Sequence, residues 1–262
     1  MAKDQGSCCI STGIHNYTAD NGELPPPQRS VLTSETVASH LSIPGRTTEG
    51  LAFAFLRLDL NACNLTDISL IASFTHLRFV DISSNFLDSL TPLEALPHLL
   101  WLRAESCGLR SVILQSLGPY LQWLSLAHNE ISAINGLSHP HLKTLLLNGS
   151  GTSGGPQASN KTVLLEGLND LKNLSHLHLR DNRVSNLDGF VQENPEDEIL
   201  PSLHYLNLRG NSICDMSEIL KLKELKSLRV LILLDCPLAG ESNYSEFVIS
   251  CLHLQRLDKE TV

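Results

Sequence analysis

The stretches LRFVDISSNFL (77–87) and LQWLSLAHNEI (121–131) decide the fold of this chain of 262 residues. Both have an aliphatic residue at positions one, four, six and eleven and asparagine at position nine. Between them, LLWLRAESCGL (99–109) keeps the same apolar positions and has cysteine at position nine. The three stretches begin 22 residues apart. A fixed period of this length predicts a stack of similar structural units.

The pattern L-x-x-L-x-L-x-x-N-x-L is typical of the leucine-rich repeat, in which each unit supplies one short strand and a return segment. We therefore predict an α/β fold, a leucine-rich repeat solenoid shaped as a curved horseshoe, with a parallel sheet on its concave face. A lone repeat buries too little apolar surface to offset the entropy of ordering it, so neighbours must stabilise one another. About eight repeats are expected, with leading residues Phe55, Leu77, Leu99, Leu121, Leu142, Leu174, Leu203 and Leu228.

Changes in composition along the chain predict four parts. In chain order these are a disordered or extended N-terminal arm (1–30), an N-terminal helical cap (31–54), the repeats (55–240) and a C-terminal cap (241–262). The N-terminal cap is expected to contain a helix over 34–42, beginning at Thr33 or Ser34, and a second helix over 49–54. A Gly-rich loop at 148–162 and an acidic loop at 191–202 interrupt the repeats.

Composition narrows the class of partner. The net charge of -9, from 28 acidic and 19 basic residues, argues against nucleic acid or an anionic membrane as the main partner. We expect no transmembrane segment and no secretory signal, because long apolar runs are absent. Seven cysteines, an odd number at irregular spacing, favour reduced thiols in an intracellular compartment. Together these features favour a protein partner and a monomer that works within a larger complex.

The repeat pattern accounts for the presence of several cysteines, those at position nine, without any role in metal binding or redox chemistry. An asparagine there is expected to bend the chain and to bind buried backbone groups of the turn, and cysteine is a smaller, weaker donor that tolerates the same burial. The residues at this position are Cys63, Asn85, Cys107, Asn129, Ser150, Asn182, Asn211 and Cys236.

Positions three, five and seven of each strand are expected to point out of the concave face. Both tryptophans of the chain occupy position three in adjacent repeats, beside Phe79. Exposed aromatic residues mark interaction sites, although the tryptophans could instead pack on one another or under the N-terminal arm. Along the face the charge is expected to run from acidic to basic and then to apolar. The predicted partner-binding residues are Phe79, Trp101, Trp123, Arg103, Glu105, His176, His178, Arg180, Tyr205 and Arg209.

The residues offer little support for catalysis or a cofactor. His176 and His178, with Asp181 and His204 near, make a metal site conceivable, but plain surface histidines are the favoured interpretation. The Gly-rich segment lacks the G-K-[ST] ending of a phosphate loop. No ordered catalytic triad or carboxylate pair is present, and an open trough lacks an enclosed pocket. We predict a protein that is not an enzyme and needs no cofactor, metal or small-molecule substrate.

The 22-residue period and the ending LDKE (257–260) resemble the leucine-rich repeat subfamily typified by a phosphatase regulator, which includes an axonemal dynein light chain and a spliceosomal subunit. Longer stretches, such as LPHLLWLRAESCGLRS (96–111) and LRVLILLDCP (228–237), resemble the family of leucine-rich repeat-containing protein 23, a radial-spoke component of motile cilia and sperm flagella. The resemblance implies a scaffold of the axonemal cytoskeleton, needed for motility, that binds neighbouring spoke proteins. The alternative is a regulatory subunit of a soluble enzyme such as a protein phosphatase.

Overall fold

Each predicted repeat contributes one strand to a continuous sheet in the computed structural model of the protein. The structure describes residues 30–47, 50, 52–111, 117–132, 139–149, 165, 168, 171–191 and 198–262. The predicted leucine-rich repeat solenoid is confirmed. The arm predicted for 1–30 and the Gly-rich loop at 148–162 lie almost wholly outside the described residues, and so does the middle of the acidic loop, 192–197.

The elements follow one another in a simple order. The chain begins with β1 (Ser30–Val31), α1 (Ser34–His40), β2 (Leu41–Arg46), β3 (Phe53–Asp59) and β4 (Leu65–Asp67). Seven three-residue strands follow: β5 (Phe79–Asp81), β6 (Trp101–Arg103), β7 (Trp123–Ser125), β8 (Thr144–Leu146), β9 (His176–His178), β10 (Tyr205–Asn207) and β11 (Val230–Ile232). The chain ends with α2 (Tyr244–Cys251), β12 (Arg256–Leu257) and β13 (Glu260–Thr261). Short 3-10 helices occupy return segments at Ser69–Ser73, Thr91–Ala95, Asp188–Phe190, Met216–Glu224 and Pro237–Gly240.

The strands of the large sheet are stacked in sequence order, from β2 and β3 through β5 to β13. From β3 to β12 neighbouring strands run parallel, and paired residues occupy the same repeat position, so Trp101 lies between Phe79 and Trp123. A slip of one residue would turn each leucine from the core to solvent. Burial therefore fixes the register, and Leu99, Leu102 and Leu109 are almost fully buried.

An asparagine at position nine satisfies the backbone of the turn that follows each strand. The chain enters this turn through a left-handed residue at position eight, such as His128 with φ of 59°. Asn129 Oδ1 then accepts hydrogen bonds from the backbone N–H groups of Cys107 and Leu109, at 2.9 and 3.1 Å. Its Nδ2 donates to the carbonyls of Ala104 and Leu126, at 2.7 and 2.9 Å. One side chain thus ties two successive turns together, as predicted.

Cysteine replaces asparagine at this position as a weaker donor. The Cys107 and Cys236 thiols each donate to a backbone carbonyl of the preceding turn, those of Ile82 and Leu208, at 3.2 Å. Burial raises the pKa of the Cys107 thiol to about 11, so the reactive thiolate is disfavoured. Both thiols therefore serve the stacking of the turns.

The N-terminal end differs from its prediction. The first helix is confirmed as α1, with the Thr33 side chain accepting a hydrogen bond from the Thr36 backbone N–H. The second helix predicted over 49–54 is wrong, because β3 already begins at Phe53 and pairs antiparallel with β2. Phe55, predicted as the leading residue of the first repeat, is half exposed, while Leu56 is buried.

Both ends of the sheet are closed by short antiparallel strands. At the N-terminal edge, β2 contains Pro44 and the left-handed Ile43, which hinder the addition of a further strand. At the C-terminal end, α2 leads into β12, and Asp258 binds backbone groups of the preceding repeat. Its carboxylate accepts hydrogen bonds from the Leu233 and Leu234 backbone N–H groups and from the Tyr244 hydroxyl.

Replacing Asn129 tests the role of position nine in stability. We expect Asn129→Ala to lower the free energy of unfolding by about 3 kcal/mol, because buried backbone groups of two turns lose their partners. Asn129→Cys should cost clearly less, since cysteine fills the same position in the preceding repeat, as Cys107. Urea denaturation followed by circular dichroism measures both values. An equal effect of the two substitutions would contradict this role.

Candidate functional site on the concave sheet face

The sheet register gathers the predicted binding residues on one face. Position three forms a continuous row, in which Arg57, Phe79, Trp101, Trp123, Thr144, His176, Tyr205, Val230 and Arg256 are joined by successive strand pairs. The alternate residues of the strands, such as Leu102 and Leu124, are fully buried in the core. The row therefore lies on the open face of the sheet, which is the concave face of the solenoid.

The two tryptophans of this row stack on one another. Their ring centroids are 4.6 Å apart and the ring planes differ by 10°. This is one of the alternatives that the sequence left open. Trp101 and Trp123 are nevertheless only partly buried, as is Phe79 on the neighbouring strand. The stack fixes the orientation of both indoles and leaves aromatic surface in contact with solvent.

A charged network lies beside the stack, at positions five and seven. Arg103 Nη2 donates to Glu105 Oε2 at 2.7 Å, and Arg103 Nη1 lies 3.7 Å from Asp81 Oδ2. The hydroxyl of Ser125 donates to Glu105 Oε1 at 2.6 Å. Asp81 and Ser125 are only 5% and 0% exposed. Burial acts to raise the pKa of the Glu105 carboxyl, but the hydrogen bonds from Arg103 and Ser125 hold it below its usual value.

These ion pairs change the predicted charge pattern of the face. The carboxylates at its N-terminal end are not free, since Asp59 lies 3.5 Å from Arg57 and Asp81 is buried next to Arg103. The simple run from acidic to basic residues is therefore wrong as a description of the exposed charge. Because the charges are largely matched within the face, aromatic surface dominates what this region offers to a partner.

The remaining predicted residues form a second group, separated from the first by β8. His176 and His178 both pack against Tyr205, with ring centroids 5.6 and 4.8 Å away. Burial and the neighbouring His176 lower the pKa of His178, which favours the neutral form of its ring. Arg180 pairs with Asp181 and Arg209 pairs with Asp235, at 2.9 and 2.6 Å. The ten predicted residues thus fall into two clusters rather than one.

The predicted site omitted two aromatic residues at the N-terminal edge. Phe53 and Phe55 are 75% and 50% exposed and lie on β3. They alternate with the half-buried Ala54 and the buried Leu56, and they share the face of Arg57, two positions further along from Phe55. The period-two alternation in FAFLRLD (53–59) was the available sequence signal. It indicates a strand that is longer than those of the other repeats.

Two further properties concern only the part of the chain that the structure describes. No three histidine, cysteine or acidic side chains are grouped there closely enough to hold a metal ion. No helix in the same residues is long and apolar enough to cross a membrane.

Similarity to known proteins accords with this architecture. A leucine-rich repeat family model matches residues 157–262. The chain is 40% identical over 273 residues to leucine-rich repeat-containing protein 23 of Homo sapiens, across 90% of this chain and 76% of that protein. The chain belongs to the leucine-rich repeat-containing protein 23 family. The family relationship therefore covers both clusters of the concave face.

Solved structures support the fold of this family member. Internalin C2 of Listeria monocytogenes matches with a TM-score of 0.58 at 23% identity, over 78% of this chain and 80% of its own. The internalin inlF of the same organism matches with a TM-score of 0.57 at 22% identity, and the chain spans 54% of its length. At this level of identity the likeness concerns the solenoid architecture alone.

The ionised state of Glu105 should contribute stability. Because its folded pKa lies below the ordinary value of about 4.3, that contribution is present above this pH and is lost as the pH falls through the folded pKa. We expect Glu105→Gln to lower the free energy of unfolding at pH 7 by about 1 kcal/mol, with a smaller difference at pH 3. Urea denaturation at both pH values measures this.

Glu130→Gln provides the matched control, because Glu130 pairs with an Arg110 side chain that is 84% exposed. An exposed ion pair of this kind contributes little to stability. Equal losses for the two variants, or a Glu105→Gln loss that persists at pH 3, would contradict the assignment.

Proposed function

We propose that this protein is a non-catalytic scaffold that binds other proteins through the aromatic surface of its concave face. The observation that carries the proposal is the Trp101–Trp123 stack, held on an open sheet face by a register that burial enforces. Tryptophan is enriched among residues that dominate binding energy, and a rigid stack loses little entropy on association. An open sheet suits an extended protein surface better than a small substrate.

We further propose that the complex is the radial spoke of motile cilia and flagella, where the scaffold would hold neighbouring spoke proteins in fixed geometry. Support comes from the resemblance of the sequence to the family of leucine-rich repeat-containing protein 23 and from membership of that family. The expected location is the axonemal cytoskeleton. A rigid solenoid suits a mechanical role, because each repeat is tied to its neighbours by strand pairs and ladder side chains.

Fractionation of ciliated cells tests this location. The tagged full chain should appear along cilia or flagella, remain with axonemes after detergent treatment, and be released only by high salt. A soluble pool that co-purifies with protein phosphatase activity would overturn the spoke assignment in favour of the regulatory alternative.

A double substitution tests the binding surface. We expect Trp101→Ala with Trp123→Ala to reduce capture of axonemal partners at least tenfold, because hot-spot residues each contribute about 2 kcal/mol or more. Cross-linking mass spectrometry on axonemes that contain the wild-type or variant chain measures capture. Circular dichroism checks that the variant is folded.

Leu220→Ala is the matched control, since Leu220 is 42% exposed on the 3-10 helix of a return segment, away from the sheet face. It should leave capture unchanged. Unchanged capture by the folded double variant would disprove the role of the stack.

A further inference from the structure

The edge of the sheet at which the strands begin forms a regular line. The seven repeats led by Leu77 to Leu228 each present there a four-residue block with the leading leucine in third place, from 75–78 to 226–229. The C-terminal cap adds an eighth block, 252–255, and we name these eight blocks the strand-start rim. Backbone hydrogen bonds of 2.8 to 3.0 Å join position two of every repeat to the next, from Arg78 to Gln255. Ring contacts cross between blocks as well, with Tyr120 and His141 centroids 5.9 Å apart.

The strand-start rim has basic residues but no acidic ones. None of its 32 residues is aspartate or glutamate, although the composition of the chain would place about three there. The rim carries five lysines and arginines, Arg78, Lys143, Lys172, Lys226 and Arg229. Five of its remaining residues are histidines, which carry no negative charge at any pH. A purely cationic strip is unexpected in a chain with a net charge of -9.

Most of these cations are available to a partner. Among the ion pairs between described residues, none involves Arg78, Lys143 or Arg229. Lys226 has one exposed contact, at 3.7 Å from Glu198, and Lys172 donates to the backbone carbonyl of the same glutamate. The rim therefore differs from the concave face, whose charges are matched internally.

We propose that the strand-start rim is a second docking surface, which binds an extended acidic segment of a partner protein. Arg78, Lys143 and Arg229 stand at position two of the second, fifth and eighth repeats, so each is three strands from the next. At about 4.8 Å per strand this spacing is about 14 Å. Side chains four residues apart on an extended chain have nearly the same separation and point to the same side.

The same spacing disfavours nucleic acid. Phosphates recur about every 3.4 Å along one strand of a duplex, so about ten of them along the rim would face only five cations. The net charge of the chain would repel the rest of a polyanion. A peptide with separated carboxylates matches the rim without this excess of negative charge. The rim spans about 34 Å from Arg78 to Gln255, the length of about ten extended residues.

Peptide binding to the full-length chain tests the proposal. A fluorescent peptide of twelve residues, with glutamate at every fourth position and glutamine elsewhere, is titrated at 50 mM and 200 mM salt and read by anisotropy, beside the matched all-glutamine peptide and a twelve-nucleotide oligouridine. Arg78→Glu with Lys143→Glu and Arg229→Glu should weaken glutamate-peptide binding at least tenfold. Because Arg229 also donates to the carbonyls of Lys226 and Leu228, the double variant at Arg78 and Lys143 is measured too.

The control reverses three exposed cations away from the rim, as Arg110→Glu, Arg183→Glu and Lys259→Glu, and so makes the same change in net charge. It should keep affinity within about threefold of wild type, and Trp101→Ala with Trp123→Ala should leave peptide binding unchanged. The proposal is overturned if the glutamine peptide binds equally well or if the control loses as much affinity as the rim variant. Tighter binding of oligouridine than of the glutamate peptide would reassign the rim to RNA.

Discussion

The structure depends on the asparagines at position nine, each of which binds the backbone of two turns at once. Asn85 donates to the carbonyls of Leu60 and Ile82, which belong to successive turns. Buried backbone groups are costly when unpaired, so this contact fixes where each turn begins relative to the previous one. Residues 22 apart in sequence thereby become neighbours across strands. The concave row and the strand-start rim both follow from that geometry.

The repeating interior could be predicted from the sequence because one period satisfies leucine burial and turn chemistry together. The N-terminal end could be predicted only in part, since it has no periodic neighbour on one side: helix α1 is confirmed, but the strands around it were not predicted. At Phe53 and Phe55 the strand continues beyond the repeat pattern, and alternation replaces the 22-residue period as the informative signal. The helix expected over 49–54 was inferred from the local conformational preference of the sequence. Local preference carries no information on tertiary contacts such as the pairing of β3 with β2.

The sequence could predict which side chains of the candidate site point away from the core, but not how deeply each of them is buried. Alternation along a strand says which side chains leave the core, and Trp101 and Trp123 lie where it placed them. It does not say how far neighbours cover a side chain. Asp81 lies on the same outward face, yet it is buried, because the Arg103 side chain of the next strand lies against its carboxylate. Pairings of this kind depend on side-chain conformations across strands, about which a single sequence says little.

Matched and unmatched charges divide the surface into regions with different physical roles. An ion pair closed within the molecule, such as Arg103 with Glu105, presents little field to an approaching protein and holds its neighbours rigid. Aromatic surface beside it contributes affinity through burial, which acts only at contact. Cations such as Arg78 and Lys143, which form no ion pair with another described residue, act at a distance of about 10 Å in physiological salt. They therefore govern orientation and association rate. A scaffold that must hold partners in fixed geometry gains from both effects, provided that they lie on separate surfaces. The repeat makes this separation possible, because in every repeat position two lies on the strand-start rim and position three lies on the concave face.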